Sequence, residues 1–520
     1  FANEKFLFYH ALGRLRQCLQ EHGYNKSNIC ALLEISSLQQ LEPTYFHYYD
    51  CYKLPNTIRG DLIRLFLLQG SLSQAQLQSI FGTELFAILV KLGVLIQPAE
   101  GKQWLSRIDL YEVENLYLAT DHRYMVRTED KLNEEPVMYV GSDSMGLVYT
   151  APQFAAKRVL DLCCGCGIQG LVASRYAKEV MSVDINLRAI RFSRFNAQLN
   201  GIRNIRFLYG NLYEPVQNHD FDTILANPPF VAAPTNSCRF RDGGLNGETL
   251  LAQIIQGSTK HLTPNGKLFI VTDLIHVENY QAKLEQWWGE KPAHKMVFCT
   301  ADRDEILFSI PHCHVPFEQS FEQYNLELEQ WVNNFRTTSL KTINFGYILI
   351  GCLPESKTGS YYMRTIHNPN HPIHQQVQNY FRQRELLENI ESHQDLFLLL
   401  CDDIHFRIEE DGTGNQRKIE IFSPNNQYFT TYQLSEQVYW QLQDIRRFQP
   451  KWHLYVAHPN QKLLKDLIYK GIIYLSEERS KNINRPSVPQ KPTQTDNLNI
   501  VEMRTKTTPT CLSSYLNVWR

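Results

Sequence analysis

The sequence lacks any apolar run approaching the roughly 18 to 20 residues that a membrane-spanning helix needs, and no signal-peptide pattern stands at its start. It has almost no net charge: 52 basic residues face 54 acidic ones, for a formal value of −2. Nothing global therefore draws the chain to a polyanion, and any nucleic-acid surface has to be local. No repeat of fixed period occurs, which excludes solenoids and propellers. Metal-ligand spacing is also missing. No second cysteine pair follows Cys163-Cys-Gly-Cys166, and His312 and His314, two residues apart around Cys313, read as a chance grouping. No metal is expected. The twelve cysteines are scattered, so we expect reduced thiols in a cytoplasmic protein. What remains is a chain of 520 residues, 43 % hydrophobic and 20 % charged, long enough for about three folded domains.

Residues 1–125 are expected to form a helical domain. Asp61 to Leu68 and Gln74 to Phe81 are amphipathic, Ser71 to Ser73 supply capping hydroxyls, Glu84 to Leu92 continues as a third helix, and Val94 to Gln97 reads as a short strand. This is a winged-helix-like order, although the glutamine-rich second helix carries no Arg or Lys for phosphate contacts, and a plain helical packing domain fits as well. Residues 126–312 alternate short apolar strands with helices of about 10 to 15 residues, which implies βαβ units in a Rossmann-like, doubly wound, mostly parallel sheet. Residues 313–485 lose that alternation and read as a separate α+β domain, with strands around Asp411-Gly-Thr-Gly414 and a second winged-helix-like arrangement as one form. Residues 486–520, rich in Pro, Thr and Asn, are expected to be a flexible tail.

Chemistry concentrates in the alternating region. Val159-Leu-Asp-Leu-Cys-Cys-Gly-Cys-Gly-Ile-Gln-Gly170 contains a G-x-G-x-x-G pattern, and Asp184 follows Gly165 by 19 residues at the end of the next strand. That matches a dinucleotide fingerprint. Asp161 separates two ligands, because a carboxylate there would repel a pyrophosphate but attract a sulfonium and an α-ammonium. S-adenosyl-L-methionine is thus favoured over NAD. Asp184 fits as acceptor for ribose hydroxyls, and Gly210-Asn-Leu212 as the loop bordering the adenine. The strand Phe221 to Ala226 ends in Asn227-Pro-Pro-Phe230, on the carboxyl edge where open α/β sheets bind ligands. An amide oxygen and the Pro228 carbonyl can grip the N–H bonds of a planar nitrogen, the prolines fix the geometry, and Phe230 offers an apolar face. Arg188, Arg191 and Arg194 form a stripe that suits either a solvated helix face or nucleic acid.

VLDLCCGCGIQGLVAS, SVDIN, LYGNLYEPV and ILANPPF resemble the successive motifs of class I S-adenosylmethionine-dependent N-methyltransferases of the "methyltransferase small domain" group. That group includes release-factor glutamine N5-methyltransferases and enzymes that methylate base nitrogens in RNA. The segment Phe240 to Gly247 resembles the release-factor branch, and Tyr139 to Gly146 sits where the family has a lid over the cofactor. The resemblance spans about Tyr139 to Pro311. It implies cofactor binding by Asp161, Cys163, Gly165, Gly167, Asp184, Ile185, Asn211, Leu212 and Asn227, and catalysis by Asn227, Pro228, Pro229 and Phe230. The implied partner is a protein glutamine, in a translation factor for example, or RNA, with no membrane. Three positions depart from the family pattern. Cys163 stands where many relatives carry glycine, Asn211 where aspartate is common, and Phe230 where the glutamine-methylating branch often has tyrosine.

Overall fold

Val159 to Leu162 is buried on both faces, as a central parallel strand must be, and Asp161 is its one polar side chain. The computed structural model describes residues 2–98, 101–124, 135–235, 238–314, 319–353, 360–366, 371–412, 417–424, 431–456, 458–480 and 500–502. Its centre is an eight-stranded sheet made of β1 (Ala156–Leu162), β2 (Ala177–Asp184), β3 (Ile205–Tyr209), β4 (Phe221–Ala226), β5 (Leu262–Ile275), β6 (Ala293–Cys299), β7 (Ile343–Cys352) and β8 (Tyr361–Ile366). The spatial order is β3-β2-β1-β4-β5-β7-β6-β8, with only β7 antiparallel to its neighbours. The chain runs outward from β1 through β2 to β3 and then returns to β4 on the other side of β1. That reversal opens a crevice at the carboxyl ends of β1 and β4.

The sheet runs past the boundary expected at 312/313. β7 inserts between β5 and β6, and β8 lengthens the far edge. The register Ile348↔Ile270 and Ile350↔Leu268 joins apolar strands that are buried in the same core as β4. The regular α/β alternation ends at β6, because β7 returns antiparallel after intervening helices.

The front of the chain comprises α1 (Ala2–Glu21), α2 (Ile58–Phe66) and α3 (Gln74–Lys91), among shorter helices. Two helices expected on either side of Gly82 are one element bent at that glycine, whose φ of 72° and ψ of 162° lie outside the helical region. Ser73 closes the start of α3 with a capping box to Gln76. A ribbon of Leu95–Ile96 and Leu105–Ser106 follows as a small wing.

A hairpin, Asp109–Val113 and Leu116–Thr120, then docks on α6 (Leu187–Leu199), the helix after β2, with α4 (Ser142–Thr150) and α5 (Ile168–Ala173) preceding it in the chain. Asn196 pairs with both the N–H and C=O of Ala119 at 2.8 and 2.9 Å, and Asn200 does the same for Tyr117 at 2.9 and 2.7 Å. One helical turn matches two residues of strand, so two amides satisfy an edge that a further strand would otherwise need to cover. Within the arginine stripe on α6, Arg188 forms a two-pronged pair with buried Asp121, while Arg191 and Arg194 are exposed, Arg194 donating to the Phe207 carbonyl at 3.1 Å.

Behind the sheet, α7 (Thr249–His261) covers one face together with Tyr280–Trp288. The other face shares one apolar core with α9 (His374–Glu388) and the elements after it, α8 (Phe321–Thr337) lying nearer the crevice. The expected strands there are found as Phe397–Leu400 paired with Ile473–Ser476, and as His405–Glu410 paired with Arg417–Phe422. Half of the Asp411 to Gly414 turn and most of the tail at 486–520 lie outside the described residues, but Ile500–Glu502 pairs with Tyr432–Leu434. Among the described residues no helix is long and apolar enough to cross a membrane.

Candidate functional site

A cavity of about 270 Å³ opens at the crevice beyond β1, β2 and β4. Cys163, Gly165, Asp184, Ile185, Asn211, Leu212, Asn227, Pro228, Pro229 and Phe230 all line it, so strand ends far apart in sequence converge on one space.

On the β1–β2 side, Asp184 accepts from the Gly165 N–H at 2.9 Å and the Asn186 N–H at 2.8 Å through different oxygens. The Ile185 N–H is a third backbone donor to this carboxylate, which keeps remaining acceptor capacity for a ligand hydroxyl. Burial raises its pKa, and these N–H groups pull it back. Gly165 has φ of 53°, and a Cβ built there would meet nothing within 4 Å, so the glycine keeps open space clear rather than packing closely. Cys163 adopts φ of 56°, the left-handed region, which costs a non-glycine residue about 1 kcal/mol. Burial and the nearby carboxylates hold its thiol well above the usual range. Leu212 is also left-handed, at φ of 46°.

Two expected cofactor residues stand elsewhere. Gly167, at φ of 88°, turns the chain into α5 against Ser193 and does not line the cavity. Asp161 is fully buried beneath the loop: its Oδ2 accepts from the Gly170 N–H at 2.9 Å and the Ser182 hydroxyl at 3.4 Å. The expected direct attraction of Asp161 for the ligand is therefore replaced by bracing of the glycine turn. Alternation along β1 turns its side chain under the loop rather than over it. The Asp161 Oδ1 has no hydrogen-bond partner. A cavity edged by a cleared glycine and two backbone-held carboxylate oxygens of Asp184 fits a polar nucleoside with ribose hydroxyls to donate.

Burial pushes the Asp161 carboxyl up to about 7; the Gly170 N–H opposes this and the charge of Asp184 adds to it. Asp273 is likewise pushed up to about 6 by burial despite its pair with Arg303. An unfolded aspartate titrates near 3.9, so between about pH 4 and 7 these two carboxyls hold more protons in the native state than in the unfolded one. Their contribution to stability falls as pH rises through that window, against the rise contributed by His294 and His312, which burial holds neutral. Denaturant titrations of wild type and Asp161→Asn at several pH values should show wild type losing stability relative to the variant as pH rises; a difference that does not change with pH would refute the assignment.

On the acceptor side, Asn227 closes β4, and its Nδ2 donates to Asp143 Oδ2 at 2.8 Å and Ser144 Oγ at 3.1 Å. Its Oδ1 is thereby left as the free acceptor end. Asp143 and Ser144 sit in the first turn of α4, within the stretch expected as a lid, and both line the cavity. Sequence alone does not single them out, since an acid in a helix's first turn signals only dipole stabilisation. Phe230 borders the cavity, while its ring is buried and tilts over Phe345 at 6.0 Å in a cluster with Phe308, Trp331 and Phe335. It serves more as core than as an open stacking face.

The segment after Phe230 folds back over it. Val231 N–H donates to the Arg241 carbonyl at 3.0 Å, Gly243 N–H to the Val231 carbonyl at 2.8 Å, and Ala233 N–H to the Gly244 carbonyl at 3.1 Å. Across the cavity rim, Glu135 pairs with Arg239 at 3.0 Å, and Asp121 fixes Val137 through its N–H at 2.7 Å. Away from the site, His312 stacks on Trp331 while His314 pairs with Glu327, so the two imidazoles point to different partners.

The family model described as "Methyltransferase small domain" matches residues 140–295, the span that carries this cavity. A putative protein N5-glutamine methyltransferase from Methanocaldococcus jannaschii is 32 % identical over 149 residues, which are 27 % of this chain and 75 % of that protein. A release factor glutamine methyltransferase from Thermodesulfovibrio yellowstonii is 24 % identical over 207 residues, 32 % of this chain and 74 % of the relative. A ribosomal RNA small subunit methyltransferase C from Serratia proteamaculans is 32 % identical over 129 residues, 24 % of this chain and 34 % of that enzyme. The chain belongs to the methyltransferase small domain family and is a class I S-adenosylmethionine-dependent methyltransferase.

Proposed function

We propose that this protein methylates a planar nitrogen, and that the nitrogen is the side-chain amide of a glutamine in a protein. The observation that carries the proposal is the set of Asn227: both N–H bonds of its amide are taken by Asp143 and Ser144, which leaves the oxygen for the cavity. The nitrogen of an amide or aryl amine is a weak nucleophile because its lone pair is delocalised. Acceptors that hold its N–H bonds polarise the nitrogen and orient its lone pair, and Asn227 Oδ1 and the Pro228 carbonyl are suited to that role. Pro229 removes a competing N–H and stiffens the exit from β4, and Phe230 anchors it in the core. Asp184 would hold the ribose, and Ile185, Asn211 and Leu212 would border the adenine. Gly165 and Cys163 would let the backbone lie close to the amino-acid end. The cofactor supplies an electrophilic methyl on a sulfonium. The acceptor nitrogen takes that methyl and then loses its proton to water, so no side-chain base is required.

The choice of glutamine rests on the relatives named for protein glutamine and on the sequence after Phe230. The relative named for ribosomal RNA keeps a base amine as the rival target. Incubating the protein with methyl-tritiated S-adenosylmethionine and cell extract, followed by protease or nuclease digestion, separates them. Label that survives nuclease but not protease is expected. Label removed by nuclease alone would replace the protein acceptor with RNA or DNA.

A further inference from the structure

We infer that Asp143 is a positioning residue that decides which end of the Asn227 amide faces the acceptor; this deepens the proposed function and rests on it. The two ends of an asparagine amide have nearly the same shape but opposite hydrogen-bonding character. Turned one way, Asn227 offers the cavity an oxygen that accepts from a target N–H. Turned the other way, it offers an NH2 that cannot. The flanking groups are not equivalent in their power to choose. Ser144 Oγ at 3.1 Å can either accept or donate, so it tolerates both settings. An ionised Asp143 can only accept. At 2.8 Å it holds the NH2 end, and the flipped amide would set two acceptor oxygens against each other.

Asp143 is itself held firmly. It is 5 % exposed and lies in the first turn of α4; burial raises its carboxyl above the usual range, while the Asn227 amide and backbone N–H groups of its own turn oppose that rise. The turn is linked to the glycine loop, since Gln169, on α5, donates to the Ser144 carbonyl at 2.8 Å. The cavity wall that would carry the methyl donor and the turn that sets the Asn227 amide are therefore joined by a direct hydrogen bond between α5 and α4.

The test is a double-mutant cycle on the full chain. The rate of tritium transfer from S-adenosylmethionine to extract protein is measured for wild type, Asp143→Ala, Asn227→Ala and the double variant, with the cofactor Kd determined for each. Asp143→Ala is expected to slow transfer by roughly 10- to 100-fold with cofactor Kd changed less than about threefold. It should cost little more once Asn227 is alanine, because its action passes through that amide. Asp143→Asn should fall between wild type and alanine, since it keeps an acceptor oxygen but no longer excludes the flipped setting. Additive losses, or a cofactor Kd that rises in step with the rate loss, would overturn the positioning role while leaving the methyl-transfer reading intact. An unimpaired Asn227→Ala enzyme would overturn that reading, and the inference with it.

Discussion

Asn227→Ala is expected to lower the rate of methyl transfer by at least about 10³-fold while leaving S-adenosylmethionine affinity within a few-fold of wild type. The size reflects the side chain's contribution. One pre-set acceptor aimed at charge that develops on the reacting nitrogen is worth about 3 to 4 kcal/mol when solvent is excluded, and loss of orientation adds to it. The selectivity follows from geometry. Asn227 sits at the end of β4, whereas Asp184, Gly165 and Ile185 line the β1–β2 side of the same cavity through contacts that do not involve it. Steady-state rates and equilibrium titration of the cofactor check both halves. A variant that loses affinity and rate together would mean that Asn227 supports the cavity wall rather than the chemistry.

The same geometry explains which parts of the site could be read from the sequence. Asp184, the glycine loop and Asn227 were legible because each is a local feature: a residue type at a strand end, at a spacing that one βα unit imposes. Their convergence was legible too, since parallel strands carry all their carboxyl ends to one edge. Asp161 shows the limit. Its place at the end of β1 was evident, yet whether its carboxylate faces the ligand or the underside of the turn depends on the pleat and on Gly170 and Ser182, which approach it from other elements. Asp143 was invisible as a functional residue for a related reason, because its partner lies 84 residues away. The limits of the sheet were missed where β7 enters antiparallel between β5 and β6, a pairing that no alternation of strands and helices announces. In the front unit, the helices within residues 58–91 were apparent from periodicity, whereas α1 was not singled out. The capture of a hairpin edge by Asn196 and Asn200 was not, because asparagine on a helix usually signals solvent or a cap.

Gly247→Ala is expected to slow transfer by about 10²-fold and to destabilise the protein by roughly 2 to 4 kcal/mol, again without comparable loss of cofactor affinity. Gly247 has φ of 68°, where an alanine is strained by about 1 to 2 kcal/mol. A Cβ there would also stand 2.4 Å from the Phe230 carbonyl oxygen and 3.2 Å from the Ala232 nitrogen. Both neighbours are backbone, so no rotamer change can relieve the contact. Either the segment 239–247 lifts away, breaking the bonds that tie Gly243 and Gly244 to Val231 and Ala233, or the chain from Asn227 to Phe230 shifts instead. In the second case the acceptor oxygen moves relative to the methyl donor, and a displacement of about 1 Å is enough for the predicted rate loss. Thermal unfolding and the transfer assay together test this. If Gly247→Ala lost stability but kept full activity, the segment would be a structural strap with no hold on the geometry of Asn227.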